Sequence, residues 1–481
     1  MEIIYQTHID REIESLIERI HPPSRVCIDN DSCSDCTVVK IDSANRHGIL
    51  LEMVQVLAEL DLIISKSYIS SDGGWLMDAF HVTDQFGHKL TDKGLVHYIQ
   101  QALCEARSSK GISSDIELRS CNELPGSKVS VSASNFAIEL TTRDQPGLFV
   151  DISTALLGLG FNVSSATAWT HNERAACIIY VEDANKLGPI HDAESLAHLQ
   201  DELQNVVKAQ DGEEEKKRVR LRLRSLAAGC DHTERRLHQM MYADGDYERS
   251  GACQSEKENG HEGIEVSVCR YAEKGYWVVN VRSRDRPKLL FDTVCVLTDM
   301  QYEVFHAAVS SNTSMADQEY FVRRKGSLVL ENESEREKLA LCLIAALERR
   351  VSHGLKVEIR TENRIGLLSK VTRVIRENGL SIAKVEIGVE GETAIGSFYL
   401  TNCSGEDVNP NIQELLRIQT GGSVIANYIS PYSVPKPMLS SCSRSSMHES
   451  KSSSQVRPKL SFGSMLWSQL ECLTNNFRPL K

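Results

Sequence analysis

The chain has 481 residues, of which 41% are hydrophobic and 25% charged, and its formal net charge is −12 at pH 7. A single hydrophobic core stops growing near ~250 residues, so we expect several folded domains. The acidic balance argues against a surface that holds nucleic acid phosphates directly. The chain does not open on a secretory signal, and no apolar run reaches the ~18 residues of a membrane span. We therefore expect a protein of the cytoplasm, the nucleus or both, with no membrane span.

Four segments repeat one pattern, in which an alternating apolar strand leads through a polar turn to an amphipathic helix and two further β-rich strands. The turns read Asn45-Arg-His-Gly48, Asp144-Gln-Pro-Gly147, Asp285-Arg-Pro-Lys288 and Asn363-Arg-Ile-Gly366. We predict that the Asp or Asn side chain caps the helix that follows. Second helices are predicted at about 92–106, 192–206, 332–350 and 409–418. The fold class is therefore α+β, with tandem ferredoxin-like βαββαβ modules and antiparallel sheets.

The fourth strand of each module is harder to place. Residues 219–224 alternate apolar and basic side chains, which predicts a strand for the second module. Val219, Leu221 and Leu223 should be more buried than Arg218, Arg220 and Arg222; a localisation signal over residues 216–224 is the alternative. The third module lacks room for its own last strand, so the upstream residues 263–270 are a candidate for that edge, and residues 26–28 for the first module.

These patterns divide the chain into an amino-terminal helix with a lead-in strand (1–34), module 1 (35–120), module 2 (126–225), a linker (226–262), module 3 (263–352), module 4 (353–432) and a Ser-rich disordered tail (433–481). We expect deletion of the tail to leave the folded core intact, because it has no periodic apolar face. The 14 cysteines include one local pair, Cys33 and Cys36. This pair lacks the additional ligands of a structural zinc site, so no metal and no cofactor are expected.

The turn motifs from Asp144 to Leu148 and from Asp285 to Leu290, with the repeats around them, resemble the ACT domain. Four such modules followed by a tail resemble the plant ACT domain repeat proteins over most of residues 1–432. The resemblance implies a non-catalytic regulatory protein that binds amino acids through its ACT modules. Relatives at the module level include the carboxy-terminal part of the bacterial uridylyltransferase that senses glutamine. Glutamine, as a signal of nitrogen status, is therefore the first candidate ligand by analogy, and an enzyme is not expected.

The candidate ligand sites lie at the turns, because a helix N-terminus offers free N–H groups and a positive dipole end to a carboxylate. In ACT sensors a side chain early in the next strand also meets the ligand, and the resemblance puts that position at Ile63, Asn162, Glu303 and Ser381. The predicted ligand-binding residues are Asn45, Gly48, Asp144, Gly147, Leu148, Asn162, Asn363, Gly366 and Ser381.

Two further expectations concern individual turns. Gly147 should face an interface pocket near Asn162, and the exposed helix start there should tolerate a bulky replacement without a large loss of stability. Modules 1 and 3 look less suited to a ligand, because module 1 presents Ile63 and module 3 has Lys288 in place of glycine. We expect Lys288 to solvate the helix start or to pair with an acid across a module interface.

Ordinary helix caps and turns would explain the same residues without any ligand. The predicted partners are a free amino acid and an unidentified protein partner, with no direct nucleic acid contact; a homo-oligomer formed through module pairing stays open. The main alternative function is a protein-interaction scaffold with no metabolite ligand. An enzyme subunit with an unrecognised active site is the second alternative.

Overall fold

The computed structural model describes residues 25–72, 74–108, 136–183, 193–209, 212–225, 232–248, 263–271, 276–312, 314–325, 333–351, 354–402 and 411–429. The predicted amino-terminal helix and the Ser-rich tail lie outside these residues. No helix in the described ranges is long and apolar enough to cross a membrane.

The helices and strands follow the repeat pattern module by module. Module 1 contains β1 (Arg25–Asp29), β2 (Thr37–Ala44), α1 (Ile49–Glu59), β3 (Ile63–Asp72), β4 (Trp75–Thr83) and α2 (Lys93–Ser108). Module 2 contains β5 (Phe136–Arg143), α3 (Leu148–Gly158), β6 (Phe161–His171), β7 (Arg174–Asp183), α4 (Ala193–Lys208), α5 (Glu213–Arg218) and β8 (Arg220–Ser225). Helix α6 (Thr233–Asp244) follows. Module 3 contains β9 (Glu265–Tyr271), β10 (Tyr276–Arg284), α7 (Leu289–Asp299), β11 (Tyr302–Asn312), β12 (Met315–Arg324) and α8 (Glu333–Arg350). Module 4 contains β13 (Gly354–Glu362), α9 (Leu367–Glu377), β14 (Leu380–Glu390), β15 (Thr393–Asn402), α10 (Ile412–Thr420) and β16 (Ser423–Ile429).

The modules pair edge to edge, the first with the third and the second with the fourth. Sheet I has the strand order β1-β2-β4-β3-β11-β12-β10-β9, and sheet II has the order β16-β13-β15-β14-β6-β7-β5-β8. Strands β3 and β11 join modules 1 and 3, and strands β14 and β6 join modules 2 and 4, both in antiparallel register. The two antiparallel eight-stranded sheets confirm the predicted α+β fold class of tandem ferredoxin-like modules.

The fourth strands come from the places that the sequence suggested. β1 pairs with β2, and β9 pairs with β10, so upstream segments complete modules 1 and 3. β8 pairs with β5; its Leu221 is buried, whereas Arg220 and Arg222 are exposed. The strand prediction is therefore confirmed, although residues 213–218 at its start form helix α5.

Each sheet carries its helices on one face and has one continuous apolar core. The core of sheet I includes Phe80 from module 1 and Phe291 from module 3, and the core of sheet II includes Leu156 from module 2 and Phe398 from module 4. Because each core crosses a module boundary, a pair of modules buries its apolar residues as one unit.

The segment predicted as a linker, residues 226–262, contains a buried helix, and the linker prediction is corrected accordingly. On α6, Leu237 and Met241 are fully buried and pack with Trp169 and Ile178 on the face of sheet II opposite its own helices. Helix α6 also contacts α7 of module 3. It therefore lies between the helices of sheet I and the outer face of sheet II. The apolar stripe of α6 has only three residues within a polar sequence, so the hydrophobic pattern is too short to predict this helix.

Candidate functional site

The turn before the first helix of every module has a left-handed residue at the helix N-cap. The φ angles are 84° at Gly48, 91° at Gly147, 63° at Lys288 and 77° at Gly366, and none of these helices has a side-chain cap hydrogen bond. The carbonyl of the left-handed residue accepts the first helical N–H, as from Lys370 to Gly366. Glycine reaches this conformation at no steric cost, which explains its place in three of the four turns.

The prediction that Asn45, Asp144, Asp285 and Asn363 cap these helices is wrong. Each of them directly follows the strand that leads into the turn, and its backbone N–H donates to a carbonyl in the β-hairpin that follows the helix. For example, the N–H of Asn363 donates to the carbonyl of Glu392 at 2.8 Å. The side chain lies three residues before the N-cap position, which the left-handed residue occupies.

The side chains of these four residues fall into two classes. In module 1, the Asn45 carboxamide donates to Ser71 Oγ at 2.6 Å, and in module 3 Ser311 Oγ donates to the Asp285 carboxylate. Within the described ranges, the side chains of Asp144 and Asn363 make no hydrogen bond. Burial without a partner raises the pKa of Asp144 to about 6. In the described ranges, modules 2 and 4 therefore keep a half-buried polar side chain without a protein hydrogen bond at the turn, whereas modules 1 and 3 satisfy theirs internally.

Asn363 lines a pocket between modules 4 and 2, which we call the Asn363 pocket. Gly366, three residues further along the same turn, also lines this pocket, and Asn162 lines it from the start of β6. The Asn162 carboxamide donates to Glu182 at 3.2 Å. Below this polar mouth the walls are mainly apolar, and the floor of the pocket is formed by β14 and β15. The apolar lining includes Leu157, Phe161, Val163, Leu367, Ile387, Val389, Gly396 and Phe398.

Asp144 lines a second pocket at the same interface, which we call the Asp144 pocket. It contains Asp144 and Gly147 from module 2 and Ser381 from module 4. The expected pairing of Gly147 with Asn162 is therefore corrected, because Gly147 lies near Ser381 and Asn162 lies near Gly366. The physical reason is the antiparallel contact of β6 and β14, which sets the turn of each module against the second strand of the other.

The remaining predicted residues lie elsewhere. Leu148 is buried in the core of sheet II and lines neither pocket. Asn45 and Gly48 also lie outside both pockets, and an added β-carbon on Gly48 would lie 3.9 Å from Thr298 of module 3. Lys288, with Ile63 of module 1, lines a pocket at the interface of modules 1 and 3. Lys288 Nζ donates to Glu234 on α6 at 3.0 Å, which confirms its expected pairing with an acid.

Comparisons with known proteins agree with this architecture. Residues 32–110 match the family model of the ACR family N-terminal ACT domain, and residues 356–419 match the ACT domain model. Two proteins of Arabidopsis thaliana, ACT domain-containing protein ACR1 and ACT domain-containing protein ACR3, are 48% and 46% identical to this chain. The first alignment covers 100% of both proteins, and the second covers 89% of this chain and 92% of its relative. This chain belongs to the plant ACR family.

A shorter match links this ACR-family chain to a bacterial enzyme. A bifunctional uridylyltransferase/uridylyl-removing enzyme of Azospirillum brasilense is 36% identical over 86 residues, which is 18% of this chain and 9% of the enzyme. The likeness is thus confined to about one module. The family models match modules 1 and 4, whereas modules 2 and 3 are recognised by their order of helices and strands and their place in the two sheets.

A buried ionic cluster joins the two sheets of this ACR-family chain, and no periodic pattern of residues predicts it. Arg349, at the end of α8, donates to both oxygens of Asp246 at 2.5 Å, and both residues are buried. His171 of β6 lies between Asp246 and Glu348, at 2.9 and 3.1 Å. Burial lowers the pKa of His171, but the two carboxylates outweigh burial and hold it above its usual value. Module 2 is thereby tied to module 3.

A second half of this cluster reaches the turn of module 3. Arg350 donates to the buried carboxylate of Asp292 at 2.7 and 2.8 Å, and Arg286 of the turn lies 2.7 Å from the same carboxylate. The guanidinium of Arg350 also lies over the Trp169 ring, 5.2 Å from its centroid. Burial raises the pKa of Asp292, yet the two arginines and a neighbouring histidine keep it well below its usual value. The turn of module 3 is therefore occupied by internal contacts.

Proposed function

We propose that this chain is a non-catalytic regulatory protein that binds a free amino acid between modules 2 and 4. The observation that carries the proposal is the contrast among the turn side chains. Asn363 and Asp144 line pockets and have no side-chain hydrogen bond in the described part of the chain, whereas Asn45 is held by Ser71. An unsatisfied, half-buried polar group next to a helix N-terminus suits the ammonium and carboxylate of an amino acid.

The Asn363 pocket is the better candidate of the two. Its empty space, which includes open solvent at the mouth, is about 600 Å³, and the same measure gives about 290 Å³ for the Asp144 pocket. In the Asp144 pocket, the guanidinium of Arg376 covers Gly147, because a β-carbon added to Gly147 would lie 2.7 Å from Arg376 Cζ. We assign the ligand first to the Asn363 pocket.

The floor of the Asn363 pocket supports a particular class of amino acid. Gly396 lets two apolar side chains pack closely over the sheet there, since an added β-carbon would lie 3.0 Å from the Phe398 ring and 3.5 Å from Ile387. The other modules fill the equivalent position in the sheet with a side chain, at Asp78, Cys177 and Gln318. An aliphatic ligand side chain fits this apolar floor, whereas the amide of glutamine would lose its hydrogen bonds to water there.

The proposed regulation follows from the position of the pocket. Its walls come from both modules, so a ligand would bind the paired arrangement more tightly than any arrangement in which the modules separate. A protein partner could then recognise the change that the ligand causes at the interface between modules 2 and 4. The scaffold function without a ligand is the competing proposal.

Titration of the full chain with single amino acids tests the proposal. We expect leucine, isoleucine or valine to bind and to stabilise the chain by about 2.7 kcal/mol at 100 times the dissociation constant. Asn363→Ala should weaken binding at least about tenfold, or about 1.4 kcal/mol, whereas the matched Asn45→Ala variant should bind normally. If glutamine binds and the aliphatic amino acids do not, the site stands and the ligand class is wrong. If none of the twenty binds, the scaffold function replaces the sensor.

A further inference from the structure

Cys33 and Cys36 lie together in the turn between β1 and β2, at the edge of sheet I. The Cys36 thiol donates a hydrogen bond to Cys33 Sγ, with the two sulfur atoms 3.1 Å apart. Cys36 is buried, and Cys33 is half-buried. Cys27, Cys104 and Cys269 are exposed cysteines outside this pair. The Cys33–Cys36 pair therefore combines sulfur contact with access from solvent.

The turn is fixed by groups outside the pair. Lys89 Nζ donates to the carbonyl oxygens of Asn30 and Cys33, and the Asn30 carboxamide donates to the carbonyl of Leu90 at 2.9 Å. Thr37 Oγ1 donates to Asn30 at 2.6 Å. Because Lys89 and Leu90 belong to the segment after β4, tertiary contacts hold the two thiols against each other. Such fixed proximity raises the effective concentration of one thiol at the other.

The two thiols also differ in acidity. The backbone N–H of Asp35 and the thiol of Cys36 lower the pKa of Cys33. Burial raises the pKa of Cys36 to about 11. The more acidic and more accessible sulfur suits an attacking thiolate, and the buried sulfur suits a resolving thiol.

We propose that Cys33 and Cys36 form a reversible thiol–disulfide site that reacts with low-molecular-weight disulfides such as oxidised glutathione. The Cys33 thiolate attacks one sulfur of oxidised glutathione, which forms a mixed disulfide and releases one glutathione thiolate. Cys36 then loses its proton and attacks Cys33 Sγ, which forms the intramolecular disulfide and releases the second glutathione. The two protein thiols are oxidised, one glutathione disulfide is reduced to two thiols, and the two protons pass to the released thiolates.

The disulfide would brace the connection that places β1 on the edge of module 1. Five residues of β1 pair with β2, from Arg25↔Asp42 to Asp29↔Val38. Lys40 Nζ donates to Asp29 at 2.8 Å across this same edge. The site belongs to sheet I, whereas the Asn363 pocket belongs to sheet II, so this proposal does not depend on amino-acid binding.

Equilibration of the full chain in glutathione buffers of increasing oxidised fraction tests the site, with acid quenching, alkylation and peptide mass spectrometry as the readout. We expect a Cys33–Cys36 disulfide that reverses on reduction. Under reducing conditions at pH 7, alkylation of Cys33 should be at least about tenfold faster than alkylation of Cys36. Cys36→Ser should trap glutathione on Cys33, whereas Cys33→Ser should leave Cys36 unmodified.

The exposed single cysteines provide the matched controls. Cys27→Ser and Cys104→Ser should form the same Cys33–Cys36 disulfide as the parent chain. Circular dichroism of each reduced variant separates a loss of chemistry from a loss of fold. Absence of the disulfide in the folded parent across all buffers would overturn the proposal. Faster alkylation of Cys36 than of Cys33 would overturn the assigned roles.

Discussion

The guanidinium of Arg376 in module 4 lies directly against Gly147 in module 2. A β-carbon added to Gly147 would lie 2.7 Å from Arg376 Cζ, and Arg376 Nη1 donates to Asp151 at 3.1 Å. Gly147 is also left-handed, with φ 91°. The expectation that this helix start tolerates a bulky residue is therefore wrong, because a side chain there meets both backbone strain and a neighbouring module.

Gly147→Ala should lower the free energy of unfolding by about 1 to 2 kcal/mol, the usual cost of a left-handed conformation for a residue with a β-carbon. Urea denaturation measures the change. Gly158→Ala is the matched control, because Gly158 ends the same helix with open space around it, and it should be neutral or slightly stabilising. The double variant Gly147→Ala, Arg376→Ala separates the two causes. Full recovery of stability in the double variant would assign the whole loss to the contact and none to φ.

Asn45→Ala should lower the free energy of unfolding by about 1 kcal/mol, because it removes the hydrogen bond to Ser71. Asn363→Ala should change it by less than about 0.5 kcal/mol, because the Asn363 side chain has no such bond in the described ranges. Both residues directly follow the strand that leads into their turn, so the comparison holds backbone position constant. Equal losses in the two variants would contradict the division of the turns into internally satisfied and unsatisfied classes.

The fold was predictable from the sequence because its signals are local. Leu221 alternates with Arg220 and Arg222 within one strand, and each turn repeats the same short motif. The site was predictable only in part. Which turn faces Asn162 depends on how β6 meets β14, and this contact joins residues more than 200 positions apart, so no local pattern encodes it.

The ionic cluster was missed for a related reason. Asp246 follows Gly245, the left-handed residue at the end of α6, and its partner Arg349 lies 103 positions later. Neither residue repeats with a helical or strand period, and each alone is typical of a solvated surface. Only the stacking of sheet I on sheet II through α6 buries them together.

Arg349→Ala should lower the free energy of unfolding by about 3 to 5 kcal/mol, because it leaves the Asp246 carboxylate buried without its main partner. Arg364→Ala is the control, since Arg364 pairs with Glu362 on the surface and both side chains are about two-thirds exposed. That variant should change stability by less than about 1 kcal/mol. A loss at Arg349 no larger than the loss at Arg364 would mean that the cluster does not hold the sheets together.

Asp78 supplies a prediction about pH. It is buried on β4 between Ile41 and Ile69, and no side chain in the described part of the chain forms a hydrogen bond with its carboxylate, although the backbone N–H of Ser70 partly favours the ionised form. Burial holds the pKa of Asp78 well above its ordinary value of 3.8. A group whose pKa is raised on folding contributes its full stability below the unfolded pKa and loses that contribution as pH rises toward the folded pKa. Above about pH 4 the unfolded chain ionises Asp78 while the folded chain keeps it protonated. The free energy of unfolding therefore falls as pH rises above about 4.

Asp78→Asn should remove this dependence, and the free energy of unfolding of the variant minus that of the parent should rise with pH by up to about 1.4 kcal/mol per unit. Denaturant titrations between pH 4 and 8 measure the difference, in which the titration of other groups cancels. Asp78→Cys copies the residue that module 2 carries at the equivalent position, Cys177, and should exceed the parent in stability at pH 7. A difference between Asp78→Asn and the parent that stays constant with pH would mean that Asp78 ionises in the folded chain much as it does in the unfolded one.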